Sequence, residues 1–125
     1  MTVADPLAPP TENEIDQAAA LFANGIARHY GPRLRGLFMF GSRARGDSHP
    51  FSDLDVAVIV DDANWDFWKE KMQLSDIAYD TVVATGVDVQ GWPVRASDWQ
   101  KPERHSNPSL IRAMQRDGKI LQTSQ

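Results

Sequence analysis

Apolar residues recur along the chain at two different spacings, one typical of helices and one of strands. Thr11 and Glu14 have the spacing of a helix-capping box, and the apolar residues that follow at intervals of three and four predict a helix up to residue 30. Short apolar runs at 34–40 and 54–60, each bounded by turn residues, predict two buried strands. The apolar positions of the first helix are Ile15, Ala18, Ala19, Phe22 and Ile26.

The middle of the chain predicts a long helix followed by a third strand. Residues 62–84 have the length of a helix, and their large apolar side chains are spaced for one face. We expect that face to pack in the core. The third strand is expected to begin at Gly86 and to reach Trp92. The apolar positions of the long helix are Trp65, Trp68, Met72 and Tyr79.

The last apolar segment predicts one more helix and a short edge strand. Asn107 and Pro108 are a capping residue followed by proline at the first helical position, and Gly118 is a natural stop. Ile120 and Leu121 are expected to pair at a sheet edge. The resulting order α-β-β-α-β-α indicates an α/β (α+β) domain in which a small mixed sheet is flanked by helices.

The prolines divide the chain into a leader and a domain. Residues 1–10 hold three prolines and no apolar periodicity, so they are expected to form a flexible leader. Residues 11–125 have the length of a single domain and leave little room for a second, acceptor-binding lobe.

The composition narrows the class of protein and its compartment. The chain has no cysteine, which excludes disulfides and thiolate metal sites. It lacks the basic start and apolar run of a signal peptide and any stretch long enough to cross a bilayer. We therefore expect a cytoplasmic protein with no membrane partner.

Charge is distributed unevenly along the chain. The formal net charge of −4 argues against a protein that coats nucleic acid. Residues 33–46 hold four arginines and no acid, whereas residues 47–84 hold nine acids and two lysines. This order suits a site that binds anionic phosphate through metal ions, and it is equally compatible with chance clustering on a solvated surface.

Two aspartates open the second predicted strand. Residues two apart on a strand point to the same face, so Asp53 and Asp55 converge while Leu54 points into the core. Oxygen ligands of this kind favour Mg²⁺ or Mn²⁺. Taken alone, the pair is also compatible with a solvated strand end. Phosphatases and glycosyltransferases that use an Asp-x-Asp motif place it after the strand, so those two interpretations fail.

A glycine and a serine follow the first strand directly. Gly41 lets the backbone approach a phosphate closely, and the Ser42 hydroxyl and the following amides can donate to phosphate oxygens. Gly41 to Ser48 has the glycine spacing of a P-loop. However, Asp47 occupies the position that a P-loop gives to lysine, which excludes a Walker-type NTPase.

The segment from Gly41 to Asp55 is a more specific sequence signal as a whole than the Gly-Ser turn or the Asp-x-Asp pair alone. A strand, Gly-Ser-Arg-Ala-Arg-Gly, and then Ser-Asp-Leu-Asp opening the next strand resemble the signature of the DNA polymerase beta-type nucleotidyltransferases, above all their minimal members. The resemblance covers about residues 11–121 and is strongest over 37–60. It implies the polymerase beta-like palm fold.

The resemblance also implies a site. Asp53, Asp55 and a third carboxylate from the next strand, here Asp88, would be catalytic and would bind metal, with two Mg²⁺ ions or alternatively Mn²⁺. Asp88 would serve as a metal ligand or as the base. Asp80 and Asp98 are weaker candidates, because they fall in a helix and a loop. The residues expected to bind nucleotide are Gly41, Ser42, Arg43 and Arg45, and Trp92 is a candidate for stacking a base.

Three functions remain open. Minimal members of this family are often antitoxins paired with a HEPN-type toxin, which implies transfer of AMP from ATP to a tyrosine of the toxin. The second function is nucleotidyl transfer to a small molecule such as an antibiotic. The third is a non-catalytic module that neutralises a partner by contact.

Overall fold

The computed structural model describes residues 8–121, which form a mixed α/β fold. The helices of this part are α1 (Glu12–Tyr30), α2 (Gly41–Arg45), α3 (Phe67–Thr85), α4 (Ala96–Gln100) and α5 (Pro108–Asp117). Its strands are β1 (Leu34–Phe40), β2 (Leu54–Val60), β3 (Val89–Arg95) and β4 (Lys119–Ile120). Single 3-10 turns lie at Gly31–Arg33 and Pro102–Arg104. No helix within residues 8–121 is long and apolar enough to cross a membrane.

The four strands form one mixed sheet in the order β3-β2-β1-β4. β1 pairs antiparallel with both β2 and β4, whereas β2 and β3 run parallel. The parallel pair is joined by α3, as parallel strands require a crossover connection. The fold class predicted from the sequence is confirmed. The predicted edge pairing of Ile120 is confirmed too, since β4 pairs with β1 at one edge of the sheet.

The sheet separates two apolar layers. Leu54, Val56, Val58 and Val60 of β2 point toward α1 and α3, and all are fully buried. Ala57 and Ile59 point to the opposite face, where they pack with Ile111 and Met114 of α5. Asp55 belongs to this second face, because residues two apart on a strand point to the same side.

The first helix begins and packs as its sequence predicts. The Thr11 side chain accepts a hydrogen bond from the Glu14 amide, and the Glu14 carboxylate accepts one from the Thr11 amide, which completes the capping box. Ile15, Phe22 and Ile26 are buried against the sheet.

The apolar face predicted for the long helix does not lie in the core. Trp68 is 72% exposed, and Met72 and Tyr79 are each 68% exposed. The face of α3 that packs on the sheet instead carries Leu74 and Ala78. The helix also begins at Phe67 rather than at residue 62, because Asp66 caps it by accepting a hydrogen bond from the Lys69 amide. Trp65 therefore lies outside the helix, partly buried against the core.

The buried face of α3 includes a carboxylate. Glu70 is 1% exposed and accepts a hydrogen bond of 3.0 Å from the Tyr30 hydroxyl. Burial and the neighbouring carboxylate raise the pKa of Tyr30 well above its usual value. The polar pair therefore joins α1 to α3 inside the core, where an unpaired carboxylate would be costly.

Two further boundaries differ from the expected ones. β3 begins at Val89 and ends at Arg95, a few residues later than predicted. Asp98, expected in a loop, lies in α4 and is buried beside Arg95, whose guanidinium donates to it over 3.1 Å. Residues 8–10 have no regular secondary structure, and residues 1–7 and 122–125 lie outside the described part of the chain. The division into residues 1–10 and 11–125 therefore stays a prediction.

Candidate active site

The paired aspartates lie where the sequence predicts, at the start of the central strand β2. Asp53 is exposed and Asp55 is half-buried, while Leu54 between them is fully buried. Burial raises the pKa of Asp55 above its usual value, and the nearby negative charge of Asp53 raises it further. A bound cation would offset both effects, so the pair fits an oxygen-liganded divalent ion.

Gly41 provides the space that Asp55 occupies. Phe40, the last residue of β1, pairs with Asp55 across the sheet, so the chain turns into α2 directly beside this carboxylate. Gly41 has a φ of +76°, and a Cβ added there would lie 2.6 Å from Oδ2 of Asp55. Only glycine satisfies both conditions, because other residues rarely adopt this backbone conformation and would displace the carboxylate.

Ser42 follows Gly41 in the first turn of the short helix α2. No side chain caps the N-terminus of α2, since Phe40 stands at the capping position and makes no side-chain hydrogen bond. The Ser42 side chain is half-buried in the first turn. The first amides of α2 are therefore not satisfied by a capping side chain, which is the arrangement that binds phosphate oxygens at helix starts.

The two arginines of α2 have different surroundings. Arg43 donates to the backbone carbonyls of Ser52 and Pro50 at 2.9 and 3.2 Å, so it fixes the loop that leads to Asp53. Arg45 is more exposed and forms ion pairs with Asp47 and Asp117 at 3.1 and 3.5 Å. Arg43 thus contacts the protein backbone, whereas Arg45 pairs with the exposed carboxylate of Asp47 and with the largely buried one of Asp117.

The third predicted carboxylate lies next to the pair but is not gathered with it. Asp88 is exposed, directly precedes β3, and accepts a hydrogen bond from the Leu54 amide through its backbone oxygen. Because Val89 pairs with Leu54, Asp88 comes abreast of Asp53, and Gln90 lies abreast of Asp55. Within residues 8–121, no three or more His, Cys, Asp or Glu side chains form a group that could hold a metal ion. The structure therefore brings Asp53 and Asp55 together and leaves Asp88 at the margin.

A tryptophan and a lysine complete the surroundings of Asp55. The indole Nε1 of Trp92 donates to Oδ1 of Asp55 over 3.4 Å. Lys71 reaches from α3 to the β3 edge, where its Nζ donates to the Gly91 carbonyl over 2.6 Å and lies 4.8 Å from the centre of the Trp92 ring. Trp92 is thereby held between a cation and a carboxylate.

Sequence reasoning missed Lys71 and Gln90. Lys71 gives no signal in the sequence, because its role depends on how α3 crosses the edge of β3. Gln90 lies two residues after Asp88, so strand periodicity could have placed both on one face. Trp92, the predicted candidate for stacking a base, donates to a carboxylate through its ring edge, and its stacking role stays a prediction.

An apolar cavity opens at the free edge of β3, beside Trp92. It measures about 440 Å³ and lies between the start of α3 and the helix α5. Trp65, Phe67 and Trp92 line it together with Leu110 and Met114, and Arg104 stands among its polar lining residues. We call it the β3-edge cavity.

The family model described as "Polymerase beta, Nucleotidyltransferase" matches residues 24–124. The chain belongs to this family. The sequence-based assignment to the polymerase beta-type nucleotidyltransferases is therefore confirmed. No curated protein matches the sequence.

Solved structures of similar fold agree with this assignment. A protein of Sulfolobus solfataricus assigned as a nucleotidyltransferase is 18% identical, with a TM-score of 0.60 over 96% of this chain and 89% of that one. A toxin–antitoxin complex with AMP-PNP is 23% identical, with a TM-score of 0.55 over 92% and 75% of the two chains. A variant of the toxin–antitoxin MntA–HpeT, in which two aspartates are replaced by glutamate, is 22% identical, with a TM-score of 0.55 over 92% and 75%. These likenesses show the polymerase beta-type nucleotidyltransferase fold.

Proposed function

We propose that this nucleotidyltransferase transfers AMP from ATP to a hydroxyl group of a partner protein, a tyrosine of a HEPN-type toxin. The observation that carries the proposal is the contact between its two halves: Asp55 of the carboxylate pair lies against Gly41, where the phosphate-binding turn begins. The residues that we assign to divalent metal and those that we assign to phosphate thus adjoin in a member of a nucleotidyltransferase family.

The residues of the site divide the reaction between them. Ser42 and the first amides of α2 would bind the outer phosphates, while Asp53 and Asp55 would hold Mg²⁺ or Mn²⁺, with Asp88 as a further ligand or as the base. Bound divalent metal, as one or two ions, supplies positive charge that stabilises the developing charge on the transferred phosphoryl group. We assign to Arg45, whose guanidinium now pairs with Asp47 and Asp117, the neutralisation of the departing pyrophosphate.

The transfer itself is a substitution at the α-phosphorus. The acceptor oxygen forms a bond to phosphorus, the bond to the β-phosphate oxygen breaks, and pyrophosphate leaves. The hydroxyl proton passes to a carboxylate, and we assign this role to Asp88, which precedes β3 where Asp53 precedes β2. An ATP-consuming reaction also fits the cytoplasmic location expected from the sequence.

Two observations support a protein as the acceptor. Two of the similar structures are of toxin–antitoxins, and one of these is described with AMP-PNP, an ATP analogue. In addition, α3 has a row of largely exposed apolar side chains that are spaced for one helical face: Trp68, Met72, Tyr79 and Val83. We call this row the α3 stripe, and we assign it to contact with the partner.

The decisive experiment incubates the protein with Mg²⁺, labelled ATP and a candidate HEPN-type partner, the product of the neighbouring gene if that gene encodes one. Label should pass to a tyrosine of that protein, and Asp53→Asn with Asp55→Asn should abolish the transfer while leaving the thermal unfolding temperature within the range of a surface substitution. Because carboxylates are replaced by isosteric amides, the fold is retained. If ATP neither binds in the presence of Mg²⁺ nor labels the partner, the proposed reaction is wrong and contact alone would explain neutralisation.

A further inference from the structure

The β3-edge cavity shares a wall with the carboxylate pair. Trp92 lines the cavity, and the Nε1 of the same indole donates to Asp55. A group bound in this cavity therefore lies one indole ring away from the proposed metal ligand. The opening is at the free edge of the sheet, since β3 has β2 on one side only.

The direction of the reaction decides which group belongs there. In phosphoryl transfer, the attacking and leaving oxygens stand on opposite sides of phosphorus. The turn at Gly41 and Ser42 lies at the end of β1, and β1 and β3 flank β2 on opposite sides. If the departing pyrophosphate is bound on the β1 side, the acceptor must approach Asp55 from the β3 side.

The lining of the cavity indicates the chemistry of that acceptor. Trp65, Phe67 and Trp92 offer aromatic surface, and planar rings pack favourably on aromatic surface. Asp98 forms an ion pair with Arg95 in the wall, whereas Arg104 forms none among the described residues and has the Asp62 carboxylate only as a more distant neighbour. The cavity thus combines an apolar interior with a positive charge among its lining groups.

We propose that the β3-edge cavity is the acceptor site and that it takes the phenol ring of a tyrosine flanked by acidic residues. This inference rests on the proposed function, which it extends from the reaction to the place where the acceptor binds. The phenol oxygen attacks the α-phosphorus, its proton goes to a carboxylate, and pyrophosphate departs toward α2.

The cavity is continuous with the α3 stripe. Phe67 lines the cavity, and its ring meets that of Trp68, the first residue of the stripe, edge to face with the ring centres 5.2 Å apart. A partner that lies along the stripe can therefore insert a side chain into the cavity without a second interface.

The four tryptophans make a direct binding test possible. Trp65 and Trp92 line the cavity, whereas Trp68 and Trp99 do not, so the four indole N–H resonances of ¹⁵N-labelled protein separate this site from other surfaces. A capped tripeptide with tyrosine between two glutamates should shift the resonances of Trp65 and Trp92 alone. The same peptide with serine in place of tyrosine should shift neither, and a peptide with lysine flanks should bind more weakly. No shift, or a shift confined to Trp68 or Trp99, would overturn the inference.

The nucleotide must be tested in the same sample. MgATP should bind without displacing the tyrosine peptide from the cavity. If MgATP instead shifts Trp65 and excludes the peptide, the cavity holds the nucleobase and the acceptor assignment is wrong, although the proposed transfer reaction stands. If MgATP does not bind at all, it is the proposed function that fails.

A substitution at the cavity rim provides the second test. Ser106 is exposed and lines the cavity, so Ser106→Trp should obstruct it, whereas Ser109→Trp places the same side chain on an exposed part of α5 outside the lining. Ser106→Trp should lower kcat/KM for the acceptor protein at least about ten-fold with the affinity for MgATP unchanged, and Ser109→Trp should lower neither. Equal transfer by both variants would contradict the acceptor site.

Discussion

The indole of Trp92 and the carboxylate of Asp55 are joined by a hydrogen bond of 3.4 Å between neighbouring parallel strands. Asp55 is half-buried and lies near the like charge of Asp53, so this donor is one of the groups that stabilise its charged form. Lys71 Nζ lies over the same ring, 4.8 Å from its centre. Trp92 is therefore a positioning residue, which fixes the orientation of a carboxylate.

We expect Trp92→Phe to lower kcat about ten-fold, since a hydrogen bond to a charged group contributes roughly 1.5–3 kcal/mol. The affinity for Mn²⁺, followed by electron paramagnetic resonance, should fall as well. Trp99→Phe is the control, because Trp99 stacks on Phe38 and does not contact Asp55. Unchanged Mn²⁺ binding in Trp92→Phe would show that the indole has no part in holding the carboxylate.

Gly41→Ala should damage both stability and activity. The left-handed conformation should cost about 1–2 kcal/mol in the free energy of unfolding, and the new Cβ would displace Asp55. Gly86→Ala is the matched control, with the same φ of +76° and nothing within 4 Å of the added Cβ. Urea unfolding should give similar losses at both positions, while transfer should be lost only at Gly41. Full activity of Gly41→Ala would contradict the close approach.

Arg43 and Arg45 should respond differently to replacement by methionine. Arg43→Met removes two hydrogen bonds to the loop before Asp53, so it should lower stability by about 1–3 kcal/mol and reduce transfer as the loop loosens. Arg45→Met removes a guanidinium that is itself exposed, so stability should change less than in Arg43→Met, while KM for ATP rises. Thermal unfolding and initial-rate kinetics measure the two effects. A large loss of stability in Arg45→Met would contradict this division.

The buried pair of Tyr30 and Glu70 should make stability depend on pH in alkali. The folded protein keeps Tyr30 protonated, whereas the unfolded chain ionises it near its usual pKa of 10.0. Above that pH, the folded protein holds one more proton than the unfolded chain. The free energy of unfolding should therefore decrease as pH rises beyond about 10, and below that pH it should not depend on Tyr30.

Urea titrations at a series of alkaline pH values measure this dependence. Tyr30→Phe should remove the contribution and lower stability at neutral pH by about 1–3 kcal/mol, because Glu70 loses its donor. Tyr30→Phe with Glu70→Met removes both polar groups and should recover part of that loss. An identical alkaline slope in Tyr30→Phe would show that another group causes the decrease.

Those elements whose apolar residues face the core could be predicted from the sequence. β2 is a run of buried β-branched residues, and α1 has a complete capping box, so local signals and tertiary packing agree. The positions of the aspartate pair and of Gly41 could be predicted as well, because they lie at the boundaries of β2 and β1. The family resemblance then supplied the fold.

α3 shows why the rest could not be predicted. Its strongest apolar row, from Trp68 to Val83, faces outward, while Leu74, Ala78 and the paired Glu70 face the sheet. Periodicity finds an apolar face but does not say whether this chain or another one covers it. The contacts of Lys71 likewise depend on tertiary geometry, because the residues it meets lie on β3, 20 or more positions further along.

The position of the aspartates on β2 has a consequence for how the site moves. β2 is hydrogen-bonded to β1 on one side and to β3 on the other, and every residue from Val56 to Val60 is buried. Amide protons of this strand should exchange with solvent only when the whole molecule unfolds. Residues 101–107, beside the cavity, are mostly exposed, so their amide protons should exchange through local opening. The groups proposed to hold metal thus lie on a strand that is expected to open only with the whole molecule, and the wall that would admit an acceptor includes a segment that is expected to open locally.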